Sequence, residues 1–229
     1  MNYPWLFFDA DDTLFDYPRA EANALALTFG DVGLAYTPEI MAAYQEFNQQ
    51  VWREFEQGRI SAASLRLVRF ERLFAHLGLS LDVLDLSERY LVHLAQGAFL
   101  LPGAANLLAK LAPRRRMGLI TNGLPEVQRP RLDGSGVGGY FSFVAISEEI
   151  GVAKPDPRFF EIAMALAGNP DPRGVLVIGD SLASDIRGGV QAGLDTLWYN
   201  PDGKPADPRW PPTYEVRTLE EITSLLVDR

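Results

Sequence analysis

Trp5-Leu6-Phe7-Phe8-Asp9-Ala10-Asp11-Asp12-Thr13 decides the fold. Four consecutive apolar residues suit a strand covered on both faces. The run stops at a cluster of carboxylates, and open parallel sheets hold their reactive groups just outside the carboxyl ends of their strands. Outward from this stretch, four more runs have the same form: Met117-Gly118-Leu119-Ile120, Phe143-Val144-Ala145-Ile146, Val175-Leu176-Val177-Ile178 and Thr196-Leu197-Trp198-Tyr199. Helical patterns lie between them. One spans 104–111. Another opens with Asp156 as N-cap and Pro157 at the first helical position and runs to about Ala167. A third spans about 183–192 and stops at Gly193. The last starts at Thr218, which with Glu221 makes a capping box. Strands alternating with helices predict an α/β fold with a parallel sheet.

Residues 15–96 break that rhythm, because they read as helical throughout with no strand signal. Roughly 80 residues is far beyond an ordinary crossover. The expectation is an all-helical insertion over 16–96, with 1–15 and 97–229 forming the sheet domain and the chain returning near Pro102-Gly103. Residues 200–212 carry five prolines and read as a surface loop near the rim of the sheet.

Composition excludes several functions. The 229 residues contain no cysteine, so disulfides, thiolate nucleophiles and cysteine-bound zinc are ruled out. Two histidines, His76 and His93, cannot make a three-histidine metal site. A net charge of −9 disfavours a binder of nucleic-acid polymers. Residues 90–109 lack charged side chains, but His93, Gln96, Pro102 and Asn106 interrupt them, so no membrane span is expected. The first basic residue is Arg19, which leaves the start without a secretory character; a cytoplasmic protein, monomer or homodimer, is expected. Only three of the 21 basic residues are lysines, Lys110, Lys154 and Lys204. That scarcity makes a lysine in a motif-like place conspicuous.

The strand ends carry the chemistry. Thr121-Asn122-Gly123 follows Ile120, and Gly179-Asp180-Ser181-Leu182-Ala183-Ser184-Asp185 follows Ile178. A further loop carries Lys154-Pro155-Asp156. Singly, each has an ordinary reading as a turn, a helix cap or a solvated lysine. Four such features at the sheet ends of one chain are harder to dismiss, and a turn just past Asp9 can aim Asp9 and Asp11 into one pocket. Asp9, Asp11, Asp180 and Asp185 bring four negative charges, offset by Lys154. Packed carboxylates repel, so protons or a cation must compensate, and an all-oxygen site selects Mg²⁺.

In order, Asp9-x-Asp11-x-Thr13, Thr121-Asn122, Lys154-Pro155 and Gly179-Asp180-x4-Asp185 resemble the motifs of the haloacid dehalogenase (HAD) superfamily. The resemblance covers essentially the whole chain and implies a Rossmann-like parallel-sheet core with an inserted helical cap. It implies that Asp9 is the nucleophile, forming an aspartyl phosphate, and that Asp11 is the general acid and base. Thr121 and the Asn122 backbone would hold phosphate oxygens, and Lys154 would neutralise charge on Asp9 and the phosphoryl group. Asp180, the Asp9 side chain and the Asp11 carbonyl would hold Mg²⁺, with Asp185 supporting the metal or orienting Lys154. Asp12 departs from the pattern, since most members have glycine there. Dehalogenases of the superfamily lack the second aspartate, so Asp11 and Asp180 favour phosphoryl transfer.

Asp9 to Phe15, the stretch Tyr44-Gln45, Asn48, Trp52, Gly58 and Arg69-Phe70-Glu71, and Ile146 to Pro155 are similar to the branch of HAD phosphatases that hydrolyse pyrimidine 5′-nucleotides. That branch implies a small-molecule phosphomonoester substrate such as dUMP, dTMP or UMP, with Asn48, Trp52 and Arg69 as candidate substrate contacts. Their ordinary readings are a core residue for Trp52, a solvent-facing amide for Asn48 and a surface ion pair with Glu71 for Arg69. The rival functions are a phosphatase or phosphomutase for sugar or other small organic phosphates, a receiver-like phospho-acceptor domain and an inactive binding fold.

Overall fold

The computed structural model describes residues 3–227. Six strands form one parallel sheet: β1 (Trp5–Phe8), β2 (Arg116–Thr121), β3 (Phe143–Ile146), β4 (Val175–Gly179), β5 (Asp195–Tyr199) and β6 (Tyr214–Val216), in the spatial order β3-β2-β1-β4-β5-β6. All four residues of β1 and all five of β4 are buried, which explains their unbroken apolar character. The order has a functional consequence. β1 pairs with β2 on one side and β4 on the other, and the connections leave in opposite directions there. That is the crevice where open α/β sheets place ligands. Phe8 lies level with Leu119 and Ile178, so the residues after β1, β2 and β4 emerge side by side.

Helices cover both faces. On one face Leu6, Phe8, Leu107, Leu108, Leu176 and Ile222 share a core. On the other, Phe7, Ile120, Phe159, Phe160 and Val177 do so. Removing a fully buried Phe such as Phe7 costs about 3–5 kcal/mol in such a setting. The expected capping signals act as read. Asp156 caps the helix Pro157–Leu166 by accepting from Arg158 N–H at 2.9 Å. Thr218 accepts from Glu221 N–H at 3.2 Å, while the Glu221 carboxylate takes the Arg217 N–H, one residue before the expected partner.

The chain divides into two compact units. One comprises 1–17, 99–125 and 132–229, and the other comprises 18–98 and 126–131. The second unit is built on four helices, α1 (Tyr17–Asp31), α2 (Pro38–Glu56), α3 (Ala62–Leu77) and α4 (Val83–Gln96). Their starts are set by Thr37, Ser61 and Asp82, each accepting from backbone N–H groups of the first turn. Tyr44, Phe70, Tyr90 and Phe74 interlock at its centre, with ring centroids 5.4–6.3 Å apart. No helix among the described residues is long and apolar enough to cross a membrane.

Candidate active site

The carboxyl ends of β1 and β4 and the loop ending at Lys154 bring Asp9, Asp180, Asp185 and Lys154 together. The Asp9 N–H extends the ladder by donating to the Ile178 carbonyl at 2.8 Å. This fixes the backbone from which the Asp9 side chain projects. The Lys154 ammonium donates to Asp9 Oδ1 at 2.5 Å, to Asp185 Oδ1 at 2.7 Å and to the Ile120 carbonyl at 2.9 Å. An ammonium has three donors, so Lys154 is fully committed within the protein. It is also 1% exposed, and such a buried charge is tolerated only when paired this completely.

Asn122 sets the lysine's position. Its Oδ1 accepts from the Lys154 N–H at 2.8 Å, and its Nδ2 donates to the Lys154 carbonyl at 2.9 Å. One amide therefore clamps both polar groups of a single backbone residue. This side-chain role was not legible in the motif, which pointed to the Asn122 backbone. Thr121 is buried, and its hydroxyl accepts from Gly123 N–H at 3.0 Å, shaping the same loop.

Asp185 lies in a π-helical turn, Leu182–Ile186, capped by Ser181. Such widened turns recur at functional sites. Its second oxygen, Oδ2, accepts from Ser181 N–H at 3.1 Å, so both oxygens are engaged. Gly179 is required beneath it, because a Cβ there would collide with the Asp185 carboxylate. Asp180 is held from two sides: Thr13 donates its hydroxyl to Asp180 Oδ1 at 3.3 Å, and the Trp198 indole N–H donates to the Asp180 carbonyl at 2.7 Å. Thr13 belongs to the first motif, but its hold on Asp180 is defined only once β1 and β4 pair; Trp198 did not stand out by spacing, since its support is defined only once β4 and β5 pair.

The turn after β1 is closed by Leu14 and Phe15 N–H groups donating to the Ala10 carbonyl, both at 2.9 Å. Asp12 sits in it with φ +60°, in the left-handed region that favours glycine. Aspartate is one of the few residues that tolerate this conformation, so the departure from glycine preserves the turn. Asp11, partly exposed, begins that turn and is not among the three clustered carboxylates.

The electrostatics call for a cation. One oxygen each of Asp9, Asp180 and Asp185 lies within 4.8 Å of the others. Burial pushes the Asp9 carboxyl well above the usual carboxylate range, Lys154 opposes that, and Asp185 and Asp180 add to it. Burial, then Asp185 and Asp12, push Asp180 up as well. Burial alone would lower the Lys154 proton affinity, but Asp185 and Asp9 more than offset it and raise it. Asp185 already takes one hydrogen bond on each oxygen, from Lys154 and Ser181, so of the three clustered carboxylates Asp9 and Asp180 are the better donors for a hard divalent ion.

The candidate substrate contacts lie in the second unit, and Tyr44 lies within the electrostatic reach of both Arg69 and Glu21, the partner of Asn48. Asn48 is 4% exposed and donates from Nδ2 to Glu21 Oε1 at 2.8 Å. Arg69, 1% exposed, stacks its guanidinium over Tyr90 and Phe70, 4.6 and 5.3 Å from their centroids. The surface ion pair with Glu71 is therefore corrected to an interior cation–π contact. Trp52 is half-buried and packs edge-on against Phe55 at 5.7 Å. Glu21 was not singled out by the sequence, because its partner stands 27 residues away.

Comparison with known proteins gives a consistent set of relatives. The haloacid dehalogenase-like hydrolase family matches residues 3–193. YfnB of Bacillus subtilis, a protein named as a HAD-hydrolase, is 38% identical over 98% of this chain and 96% of its own. Its crystal structure, bound to magnesium, superposes with a TM-score of 0.93, covering 99% of this chain and 100% of that one. The pyrimidine 5′-nucleotidases YjjG of Escherichia coli and PynA of Streptococcus pneumoniae are 37% and 39% identical. Each alignment covers 99% of this chain, with 99% and 96% of those proteins.

Proposed function

The chain belongs to the haloacid dehalogenase-like hydrolases, and from that premise we propose that it is a Mg²⁺-dependent phosphomonoesterase acting on pyrimidine nucleoside 5′-monophosphates. The observation that carries the phosphatase reading is the buried chain Asp9–Lys154–Asp185 beside Asp180. It supplies a nucleophilic carboxylate, a fixed counter-charge and a place for a hard cation in one crevice.

In this reading Asp9 attacks phosphorus while the bond to the leaving oxygen breaks, and Asp11 gives its proton to that oxygen. Asp11 then takes a proton from water as the water attacks the phosphoaspartate, releasing phosphate and restoring the Asp9 carboxylate. Lys154 keeps Asp9 oriented and its charge offset through both steps. Its donors are already used, so it acts on the phosphoryl group through charge unless an existing bond is exchanged. Thr121 and the Asn122 backbone are assigned to the phosphate oxygens. Mg²⁺, held by the oxygens of Asp9 and Asp180 and the Asp11 carbonyl, would supply charge neutralisation at the phosphoryl oxygens. Residues 1–15 and 97–229 act as the catalytic domain and 16–96 as the cap.

The nucleotidase reading is supported by the names of the full-length relatives YjjG and PynA. It assigns substrate discrimination to the cap, with Asn48, Trp52 and Arg69 as its candidates. A polar contact to the base can discriminate strongly, since a buried group left unpaired penalises the wrong ligand. The test is a phosphomonoester panel assayed with Mg²⁺ and with a chelator. dUMP, dTMP or UMP is expected to give the highest kcat/KM, ahead of purine monophosphates and sugar phosphates, and activity should vanish in the chelator and return with Mg²⁺. A hexose phosphate leading by about tenfold, a difference of about 1.4 kcal/mol, would overturn the nucleotidase reading. Full activity in the chelator would overturn the metal.

A further inference from the structure

Lys154 spends all three of its donors on the protein, so the cluster has no uncommitted ammonium to meet an incoming phosphate dianion. Asp12 adds a further carboxylate in the turn after β1. Beyond the charge a bound divalent ion would supply, a second cation close to where the substrate arrives would lower the repulsion an incoming anion meets. The loop after β5 carries one.

β5 runs alongside β4, with Gly179 level with Trp198, so the loop leaving β5 starts beside the one that bears Asp180. The Trp198 indole hydrogen bond to the Asp180 carbonyl ties the two together. The loop is built rather than slack. Asn200 is 2% exposed, its Oδ1 accepts from the Lys204 N–H at 2.9 Å, and its Nδ2 donates to the Lys204 carbonyl at 2.9 Å and to Glu215 Oε1 at 2.6 Å. Gly203 makes the preceding turn with φ +66°, where a Cβ would press on the Arg217 guanidinium. Asn200 thus fixes the Lys204 backbone as Asn122 fixes that of Lys154. The Lys204 side chain itself is exposed and, among the described residues, pairs with the equally exposed Asp202 at 2.9 Å, an ion pair weak enough to exchange. Hydrogen bonding to Asp202 is the first cause raising the Lys204 proton affinity, with smaller contributions from the charges of Asp180 and Asp12.

We propose that Lys204 is a substrate-positioning cation: its ammonium, on a loop clamped beside Asp180 at the carboxyl edge of the sheet, leaves Asp202 to hold the anionic, phosphate-bearing substrate against the carboxylate cluster. The assignment rests on the phosphomonoesterase reading above. In an acidic protein such a cation acts by offsetting the repulsion an anion meets on approach.

The test compares wild type with Lys204→Arg, Lys204→Met and Lys204→Glu in two measurements. One is Michaelis kinetics on p-nitrophenyl phosphate with Mg²⁺. The other is calorimetric titration of the Mg²⁺-loaded protein with inorganic phosphate. The expected order follows charge: Arg close to wild type, Met with KM raised about fivefold, and Glu with KM raised about tenfold or more. The change in kcat should be smaller than that in KM, and the phosphate Kd should rise in the same order. KM and Kd within about twofold of wild type in the Glu variant would overturn the proposal. So would equal losses in Arg, Met and Glu, which mark a loop-shaping role indifferent to charge. If wild type hydrolyses no phosphomonoester, the phosphomonoesterase reading fails, and the phosphate titration by itself decides the role of Lys204.

Discussion

Asp9→Asn is expected to reduce kcat by at least about 10³-fold while leaving the protein folded. An amide has nearly the shape of the carboxylate but cannot form an acyl phosphate, so the loss falls on chemistry. Stability should hold because burial already pushes the Asp9 carboxyl toward its neutral form. A neutral amide in that place still accepts from Lys154, which keeps Asp185 and the Ile120 carbonyl as further partners. Steady-state kinetics paired with thermal unfolding separates the two effects. Activity within about tenfold of wild type would remove Asp9 from the nucleophile role.

Lys154→Met is expected to cost both activity and stability. Breaking a buried ion pair by deleting one partner costs about 3–5 kcal/mol, because the remaining charge is stranded. Here two carboxylates, Asp9 and Asp185, are stranded at once. The pH dependence has a definite sign. Asp9 and Asp180 carry folded-state proton affinities above the ordinary carboxylate value. The folded chain therefore holds protons that the unfolded chain has released, and their contribution is lost as pH rises above the unfolded carboxylate range. Loss of Lys154 enlarges that effect, so the variant's deficit should be greatest near neutrality and shrink toward about pH 4. A double-mutant cycle with Asp9→Asn checks the origin, since the second change removes one stranded charge and should recover part of the loss. A deficit independent of pH and unrelieved in the double variant would point to lost packing instead.

The parts of the fold legible in the sequence are those where local pattern and tertiary role agree. β1 and β4 are buried on both faces and read as apolar runs. The helical character of 16–96 follows from an 80-residue stretch without a strand signal. Two of the elements that were not legible show why. β6 is only three residues, Tyr214–Val216, with a charged residue at its centre. The helix Pro125–Ser135 holds Pro130 and Gly134, residues that normally punctuate structure, yet it forms with Pro130 inside it. Part of it, residues 126–131, clusters with the helical unit, a long-range association that no local pattern encodes.

At the site, the identities of the acids and the lysine were readable because each follows an apolar run at a strand end or opens the next helix. Their supports were not. Asn122 clamping the Lys154 backbone, the Ile120 carbonyl as third acceptor and Trp198 on Asp180 link residues 18–34 positions apart. They exist only once the strands are ordered. The helical unit was the least legible part. Asn48 turned inward to Glu21, and Arg69 lies over Tyr90 rather than at the surface, because a buried polar pair and an exposed one can share the same spacing along a helix.

The central claim is that phosphate passes through Asp9 and that Asp11 governs its release. Asp11→Asn tests it most directly. With an aryl phosphate, whose leaving group needs little help from an acid, transfer to Asp9 should still occur, while hydrolysis of the phosphoaspartate should slow because the base for water is lost. Mass spectrometry of the variant quenched in acid during turnover should find one phosphoryl group on the peptide containing Asp9, with steady-state hydrolysis of an alkyl phosphate strongly reduced. An unmodified peptide together with unchanged alkyl phosphate hydrolysis would contradict the account.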